Sequence, residues 1–468
     1  MQSNYSPFEI QLDDLSANDL LVLRDVHEGW YVEYKSEMVN SSSIAKAVSA
    51  FANTYGGWLF IGVCEDSKDN NVAGEFPGIP IDQKDKIRQK IRSSLSANVN
   101  PTPHFDLKFL EGPEPSVGLS ADKTILIVQV PQSAQAPHVH KDGRIYKRVS
   151  DSSEPKPEAD PHLLSQLWRR REKADELIKK WVETNPEFSK HESKNPYLRV
   201  LLTPDDWGQS KINLDASITQ VREVLRGDSS KNFHMPLDAI FRNATGYVAR
   251  QVGTNDVSNY GVTLKVDRNL NCDFILPLMS HDRDMEELRL YLQEYKNADN
   301  FVDIFQRESR SVSIIDMNFL FPALGGLVAK YRDLMRLSGK EVSFYAKVVL
   351  LNAWRHVPFL DDKDYMRQIE NDGSPMVMKD LGISPTGSGA GSFMKIPGYW
   401  DDEKVNELTK LAMPAFAITR MVLELMGVDV FFDDERDAID IENLLDAGKR
   451  ASRNQQHVTD LTKDPKIW

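Results

Sequence analysis

Acidic residues near the N-terminus have the types and spacing that a divalent metal site requires. Glu28 and Glu33 lie five positions apart, and Asp66, preceded by Glu65, follows a short apolar stretch. Carboxylate oxygens are the ligands that Mg²⁺ and Mn²⁺ prefer. A metal held by them lowers the pKa of an attacking water and neutralises a leaving phosphate oxygen. If the fold brings three of these acids together, they predict hydrolysis of a phosphodiester.

Spacing alone does not separate this hypothesis from an ordinary charged strand surface. Two glutamates five positions apart occur often by chance, and most surface acids are solvated or weakly paired. Lys35 lies two positions after Glu33, so both side chains should point the same way from a strand. Two roles are open for Lys35: it could stabilise a phosphate oxygen in the transition state, or it could pair with Glu33.

Hydrophobic periodicity predicts the elements that position these acids. “GWYVEYK” alternates as a half-buried strand does, “NSSSIAKAVSAFAN” has helical apolar spacing, and “WLFIGV” is typical of a buried strand. A second helix, “PIDQKDKIRQKIRSSLSANV”, and the strands “HFDLKFLEG”, “TILIVQVP” and “GRIYKRVSDSS” follow. We therefore predict an α/β sandwich with one mixed sheet over residues 12–160. Glu65 and Asp66 would leave the C-terminal end of its buried strand, where sites of α/β sheets gather.

The rest of the chain predicts an α+β C-terminal region. “DSSEPKPEADP” reads as a boundary, and residues 161–196 as a connecting helix and linker. Residues 197–280 have short strand patterns, which predict a β-rich domain or subdomain. Residues 281–460 predict a mainly helical domain, with “VSFYAKVVLLNAW” among its helices. These last two segments could also form one unit.

Basic and aromatic side chains that could bind nucleic acid cluster in two segments of the N-terminal third. One is the second helix, where three cations recur at i, i+4 and i+8, and the other is “RIYKR”. The residues are Lys84, Arg88, Arg92, Arg144, Tyr146, Lys147 and Arg148. The cations would neutralise phosphates, which makes binding salt-dependent, and the tyrosine would stack on an unpaired base. A solvated helix face is the alternative interpretation.

Composition narrows the class of protein. The 468 residues are 41% hydrophobic and 27% charged, which is typical of a soluble globular protein of about two to four domains. The net charge of -13 argues against coating nucleic acid through bulk charge. Only two cysteines, Cys64 and Cys272, exclude a disulfide framework and favour a reducing cytoplasm. No apolar run of about 18 residues and no secretory signal are present, so no membrane association is expected.

Motifs for other chemistries are absent from the sequence. G-x-x-x-x-G-K-[ST] does not occur, and the glycine-rich “SPTGSGAGS” lacks the lysine and reads as a loop. No ATP site is therefore expected. H-E-x-x-H and G-x-S-x-G do not occur either, which leaves the acidic residues as the candidate chemistry.

The N-terminal third resembles a known family. “VEYKSE”, “IAKAVSAFANTYGGWLFIGVCED”, “VAG” and “GRIYKRVSDSS” occur in this order, and together they resemble the Schlafen AlbA-type domain, formerly labelled divergent AAA. The resemblance covers about residues 25–155, and “AFAN-x-x-GG-x-LFIGV” is its most specific part. The chain after about residue 185 resembles no known family.

The resemblance implies a carboxylate triad. In the nuclease branch of this family, three acids and a divalent metal cut transfer or ribosomal RNA, and the first two acids lie in an E-x4-E-[FY]-K pattern. That pattern falls on Glu28, Glu33 and Lys35, and the third acid falls on Asp66, with Glu65 as its alternative. Members without the first glutamate bind nucleic acid and do not cut it. The presence of Glu28 therefore favours catalysis, with Mg²⁺ or Mn²⁺ as the cofactor.

Departures from the nuclease branch shape the expected partners. The animal proteins have two related lobes and a Cys/His zinc site, whereas this chain shows one lobe and lacks the cysteines. A homodimer or higher homo-oligomer would have to supply the second lobe.

The resemblance and the residues together favour an endoribonuclease that acts on structured RNA such as tRNA, in stress response or phage defence. One alternative is a non-catalytic transcriptional regulator that binds DNA or RNA and has a C-terminal sensing or oligomerisation module. Another is an interaction protein in which the N-terminal domain serves mainly for dimerisation.

Overall fold

A computed structural model gives the fold of the chain. It describes every residue except 1–4, 11, 68–69, 150–151, 206–213, 215, 228–232, 234, 236, 252–259, 308–310, 340, 401, 429–440 and 464–468. The chain divides into two compact units. The first is Met1–Lys179 with Asp206–Ile212, and the second is Lys180–Asp205 with Asn213–Trp468.

Eleven strands and three helices lie in the described part of the first unit. The strands are β1 (Val32–Lys35), β2 (Gly56–Ile61), β3 (Cys64–Glu65), β4 (Ala73–Glu75), β5 (Ile79–Pro80), β6 (Val99–Asn100), β7 (Asp106–Glu111), β8 (Lys123–Pro131), β9 (Val139–His140), β10 (Tyr146–Val149) and β11 (Ser152–Pro157). The helices are α1 (Ser41–Asn53), α2 (Lys84–Asn98) and α3 (Pro161–Glu183), which ends in the second unit. Short 3₁₀ helices span Leu12–Asp14, Ala17–Asp25 and Ile81–Gln83.

The main sheet of the first unit is mixed, as the sequence predicts. Its order is β1-β2-β8-β5, and β7 also pairs with β8. β1 runs parallel to β2, while β2, β5 and β7 each run antiparallel to β8. Separate two-stranded ladders join β3 to β4, β6 to β9 and β10 to β11.

The two faces of this sheet are covered by different elements. The face that carries Leu59 and Ile61 packs against α1 and α2, and the opposite face packs against the N-terminal 3₁₀ segment. Val32 and Tyr34 belong to the core on the N-terminal side. Because side chains alternate along a strand, Glu33 points to the face covered by the helices.

One segment of the first unit differs from its prediction. “DSSEPKPEADP” reads as a boundary, but Ser152–Pro157 forms β11 and pairs antiparallel with β10. Proline is tolerated at the edge of a sheet, where its missing N–H faces away from a partner strand. The prolines therefore mark an edge strand in this part of the chain.

The second unit contains eleven strands and seven helices among its described residues. The strands are β12 (Tyr197–Pro204), β13 (Ala239–Arg242), β14 (Gly246–Arg250), β15 (Thr263–Asp267), β16 (Cys272–Pro277), β17 (Met279–Asp284), β18 (Ser311–Asp316), β19 (Phe344–Leu351), β20 (Val357–Phe359), β21 (Leu381–Ser384) and β22 (Met394–Ile396). The helices are α4 (Ile218–Arg226), α5 (Met285–Tyr291), α6 (Ala298–Gln306), α7 (Leu320–Leu337), α8 (Lys363–Asp372), α9 (Glu407–Leu425) and α10 (Ile441–Lys463). Short 3₁₀ helices span Glu192–Lys194 and Ala390–Ser392.

Two sheets organise the second unit. The larger has eight strands in the order β13-β14-β15-β16-β12-β19-β21, with β22 also on β19, and all of its pairs are antiparallel. It draws strands from both segments 197–280 and 281–460. The smaller sheet has the order β17-β18-β20, and β18 and β20 run parallel.

The prediction of a helix over “VSFYAKVVLLNAW” is wrong. Residues Phe344–Leu351 form β19, which lies between β12 and β21 in the larger sheet. A continuous apolar run fits a strand buried on both faces as well as it fits a buried helix, so periodicity could not separate them. In the described residues of both units, no helix combines the length and apolar character needed to cross a membrane.

Candidate functional site

A buried carboxylate on β1 is held by two cations. Glu33 is almost fully buried, on the face of the sheet that α1 covers. Lys35 Nζ lies 3.0 Å from Glu33 Oε1, and Arg148 Nη1 donates a hydrogen bond of 2.6 Å to Glu33 Oε2. Glu33 and Lys35 thus point the same way, and the pairing left open for Lys35 is present.

Arg148 connects this carboxylate to the loop that precedes β1. Its side chain is fully buried, and its guanidinium lies 4.8 Å from the ring centre of Phe51. Nε and Nη2 donate to Gly29 O at 3.0 and 2.6 Å, and Nη2 also donates to Val32 O at 3.2 Å. Burial lowers the pKa of Arg148, and the charge of Glu33 opposes that shift. Arg148 therefore fixes the loop as well as balancing Glu33.

Glu28 is buried and only half satisfied. One carboxylate oxygen, Oε1, accepts a hydrogen bond from the backbone N–H of Tyr34, whereas Oε2 has no hydrogen-bond partner among the described residues. Burial raises the pKa of Glu28 to about 8, against the opposing effects of the Tyr34 N–H and Lys35. The neighbouring carboxylate of Glu65 raises this pKa further. Glu28 is therefore protonated at neutral pH.

The loop after β3 brings Glu65 to Glu28. Glu28 N donates to Asn71 O at 2.9 Å, and His27 pairs with Val72 in an antiparallel bridge. Asp66, in contrast, is exposed and accepts a hydrogen bond of 3.0 Å from Asn70 Nδ2. Of the two acids that the sequence left as alternatives, Glu65 is the one whose carboxylate acts on Glu28.

The fit of these acids to a metal ion is incomplete. In the described chain, no group of three or more His, Cys, Asp or Glu side chains is arranged to hold a metal. Both oxygens of Glu33 already contact cations. Glu28 and Glu65 fit a hard cation better, because they are neighbouring carboxyl groups and one oxygen of Glu28 has no hydrogen-bond partner among the described residues. The metal ligands predicted from the sequence stay a prediction.

The basic residues predicted on α2 remain at the surface. Arg88 and Arg92 are exposed, and Lys84 is half-buried and pairs with Glu111. Lys84 Nζ and the Arg88 guanidinium lie 5.8 and 5.6 Å from the ring centre of Phe109. These cations therefore form one solvent-facing group, where phosphates could reach them.

The residues predicted from “RIYKR” divide between surface and interior. Arg144 is exposed, and Lys147 forms a 2.9 Å ion pair with Glu158. Tyr146 and Arg148 alternate with them and point inward, and the Tyr146 hydroxyl donates to Asp142 Oδ2 at 2.7 Å. The interpretation of Tyr146 and Arg148 as surface contacts for RNA does not fit this burial, because neither side chain is accessible.

Asp316 belongs to a second buried acidic pair, in the second unit, where the parallel strands β18 and β20 end. Its Oδ1 accepts hydrogen bonds from the backbone and side-chain nitrogens of Asn318 at 3.0 and 2.9 Å, and its Oδ2 accepts from the Tyr295 hydroxyl. Burial raises the pKa of Asp316, and these hydrogen bonds oppose that shift. Both oxygens of Asp316 are therefore satisfied.

Asp361 is the other member of this pair, and it is satisfied too. Its Oδ1 accepts from the backbone and side-chain nitrogens of Asn297 at 2.8 and 2.9 Å. Its Oδ2 accepts from Lys296 N at 3.2 Å and forms an ion pair with Arg450. These bonds join the start of α6 to α10, which is a structural role.

Fold and site together define an α/β domain in which a buried and partly unsatisfied carboxyl group, that of Glu28, neighbours the exposed Glu65. Residues 28–157 match the model of the family described as Schlafen, AlbA_2, which confirms the resemblance predicted for the N-terminal third. That match favours nucleic-acid binding as the class of function. No curated protein matches the chain.

Solved structures add no argument. The chain is similar to the DIP2311 protein from Corynebacterium diphtheriae at 16% sequence identity, and the alignment covers 92% of this chain and 87% of that one. The TM-score is 0.19, which is too low to support a conclusion about the fold.

Proposed function

We propose that the protein is a metal-dependent endoribonuclease that acts on structured RNA, with tRNA as the expected substrate. The observation that carries the proposal is the buried, unpartnered Oε2 of Glu28 beside a second carboxyl group. Burying a carboxyl group without a partner costs stability, and strongly perturbed pKa values cluster at functional sites. The match of residues 28–157 to the Schlafen AlbA_2 family supports nucleic acid as the target.

The acidic residues and Lys35 would have separate roles in cleavage. Glu28, once deprotonated, and Glu65 would hold the Mg²⁺ or Mn²⁺ ion, with Asp66 as the alternative to Glu65. When bound, the metal would activate a water and neutralise the leaving oxygen. Glu33, fixed by Arg148, would complete the acidic site, and the partly exposed Lys35 would stabilise a phosphate oxygen. A homodimer would supply a second RNA-binding lobe.

The test is cleavage of a tRNA pool in Mn²⁺ or Mg²⁺ by the wild type and by isosteric variants. Glu28→Gln should lower the rate by about 100-fold or more, because a neutral amide lacks the negative charge that makes a carboxylate a strong ligand for a hard cation. Glu37→Gln is the matched control, since Glu37 is an exposed acid on the same segment. Comparison of Glu65→Gln with Asp66→Asn identifies the third acid.

A wild type that leaves RNA intact over a range of metals and salt concentrations would contradict the nuclease proposal. The second candidate, a non-catalytic regulator, is favoured by the pairing of Glu33 with two cations and by the incomplete metal group. It predicts salt-dependent nucleic-acid binding that Glu28→Gln leaves unchanged. Light scattering of the full chain tests the dimer, and a mass equal to one chain would exclude it.

A further inference from the structure

The loop between Glu28 and Glu33 presents aromatic rings to solvent. Trp30 is 36% exposed and Tyr55, after α1, is 51% exposed. Their ring centres lie 5.5 Å apart at an interplanar angle of 60°, and Tyr31 lies 6.1 Å from Tyr55. The Tyr5 ring stacks on Tyr31 at 4.6 Å. We call Tyr5, Trp30, Tyr31 and Tyr55 the aromatic platform.

The backbone under the platform is firmly held. Tyr31 O accepts a hydrogen bond of 2.7 Å from Trp58 N, and Arg148 binds the carbonyls on either side of the Trp30–Tyr31 pair. On the other side, Gln132 Nε2 donates to Thr54 O at 2.6 Å. The rings are therefore exposed on a fixed surface, which favours a binding role.

Positive charge adjoins the platform. Arg170 on α3 donates a hydrogen bond of 3.2 Å to the backbone oxygen of Asn53, the last residue of α1. Because Asn53 lies two positions before Tyr55 in the sequence, α3 packs near the platform. Arg171 follows and is exposed. Burial lowers the pKa of Arg170, and Tyr55, which is close enough to interact with this charge, opposes that shift, so Arg170 lies beside the platform. Rings beside cations suit a ligand that carries both bases and phosphates.

We propose that the aromatic platform binds unpaired bases of single-stranded RNA, while Arg171 contacts its phosphates. The proposal rests on the proposed function, because it places an unpaired nucleotide beside the acidic residues. Trp30 and Tyr31 occupy the loop between Glu28 and Glu33, so a base stacked on them lies next to the carboxylates. RNA recognition commonly uses bases splayed onto aromatic rings, and the platform would select loops and ends over duplex.

The test is a binding measurement that needs no cleavage. Fluorescence anisotropy of the full chain in EDTA and low salt would compare a labelled single strand of about 12 nucleotides with the same sequence as a blunt duplex. Trp30→Ala and Tyr55→Ala should each weaken single-strand binding about tenfold, whereas Tyr55→Phe, which keeps the ring, should not. Arg171→Ala should weaken binding and reduce the salt slope by about one. Trp354→Ala is the control, because Trp354 is 50% exposed in the second unit.

Four outcomes would overturn the proposal. If both alanine variants bind the single strand as tightly as the wild type does, the aromatic platform is not the binding site. If the wild type binds the duplex as tightly as the single strand, it has no preference for unpaired bases. A single-stranded DNA that binds as tightly would overturn the assignment to RNA. A change of mass in light scattering on Trp30→Ala would instead assign the rings to an interface between copies. If the wild type binds single strands through Trp30 and Tyr55 but cuts no RNA with metal, the proposed function fails and the platform stands.

Discussion

Each unit of the molecule contains a pair of neighbouring acidic side chains with at least one buried member, and the two pairs use their oxygens differently. In the second unit, both oxygens of Asp316 and of Asp361 accept hydrogen bonds. In the first unit, Glu28 has one oxygen without a partner among the described residues, and Glu65 beside it is exposed. Burial of a carboxyl group is unfavourable in both units, but only in the second unit do hydrogen bonds to both oxygens offset that cost.

The difference separates a structural pair from a functional candidate. A satisfied buried network fixes the geometry of the elements that it joins. An unsatisfied carboxyl group does not, so its presence is better explained by something that it binds. The two pairs should therefore respond in opposite directions when a carboxyl group is removed.

Removal of Asp361 should have the largest effect on stability. Asp361→Ala leaves Arg450 without its buried partner and the backbone N–H of Asn297 without an acceptor, so it should lower the free energy of unfolding by about 3–5 kcal/mol. Urea denaturation measures the change. Asp299→Ala, which breaks a surface ion pair with Arg289, is the control and should cost under about 1 kcal/mol. If the two variants lose equal amounts of unfolding free energy, Asp361 does not have the structural role described.

Removal of Arg148 should have the next largest effect, about 2–3 kcal/mol. Arg148→Ala removes the Arg148 donors to Gly29 O and to one oxygen of Glu33, and one of the two donors to Val32 O, although Lys35 still balances the charge. Arg148→Lys should recover only part of the loss, because an ammonium cannot reach all three acceptors in the fixed geometry of a guanidinium. Thermal unfolding measures both. Arg144→Ala, which changes an exposed side chain, is the control and should keep the stability of the wild type. If Arg148→Lys is as stable as the wild type, the geometry of the guanidinium is not required.

Glu28→Gln should have an effect of the opposite sign, and this effect should vanish at low pH. The pKa of Glu28 is about 8 in the folded chain and near 4.5 when unfolded, so between these values the folded state binds one more proton. The free energy of unfolding of the wild type therefore falls as pH rises through this window. Glutamine cannot ionise, so the variant should match the wild type near pH 4 and become more stable than the wild type as pH rises, by at most about 1.4 kcal/mol for each pH unit.

Melting temperatures of the wild type and Glu28→Gln from about pH 4 to pH 8 measure this difference. Glu37→Gln should follow the wild-type profile at every pH. Parallel curves for Glu28→Gln and the wild type would show that Glu28 is ionised in the folded chain, and the contrast between the two acidic pairs would then disappear.

Local patterns predicted the elements that carry the site. The alternation in “GWYVEYK” and the helical spacing before “WLFIGV” gave β1, α1 and β2, and the spacing of Glu33 and Lys35 gave their common direction. These features depend on residues close together in sequence, where side-chain periodicity is reliable.

Contacts between distant residues could not be predicted in this way. Glu65 reaches Glu28 only because the following loop pairs back on His27, and the periodicity of “GVCED” carries no sign of that bridge. The sequence predicts Arg148 as a phosphate contact, yet its partner is Glu33, which lies 115 residues earlier. A buried cation is indicated only by knowledge of the buried acid that it balances.

The tyrosine chosen for base stacking shows a further limit. Within β10, Tyr146 and Arg148 share the inward face and Lys147 and Val149 the outward one. The alternation was visible in the sequence, but its direction was not, because both faces carry polar groups. The exposed rings of Trp30 and Tyr55 come from separate elements, and only the fold brings them together.

The hydrogen bonds of Arg148 to the backbone between Glu28 and Glu33 limit how the length of this segment can vary. One guanidinium binds Gly29 O, Val32 O and the Glu33 carboxylate at once, and Gly29 N closes the loop on Val32 O at 3.1 Å. An insertion or deletion of one residue would displace an acceptor by about 3.3 Å, which is more than a hydrogen bond tolerates. The interval between the two acids is thus a steric requirement of a single side chain, and a chain without that arginine would be free to lengthen it.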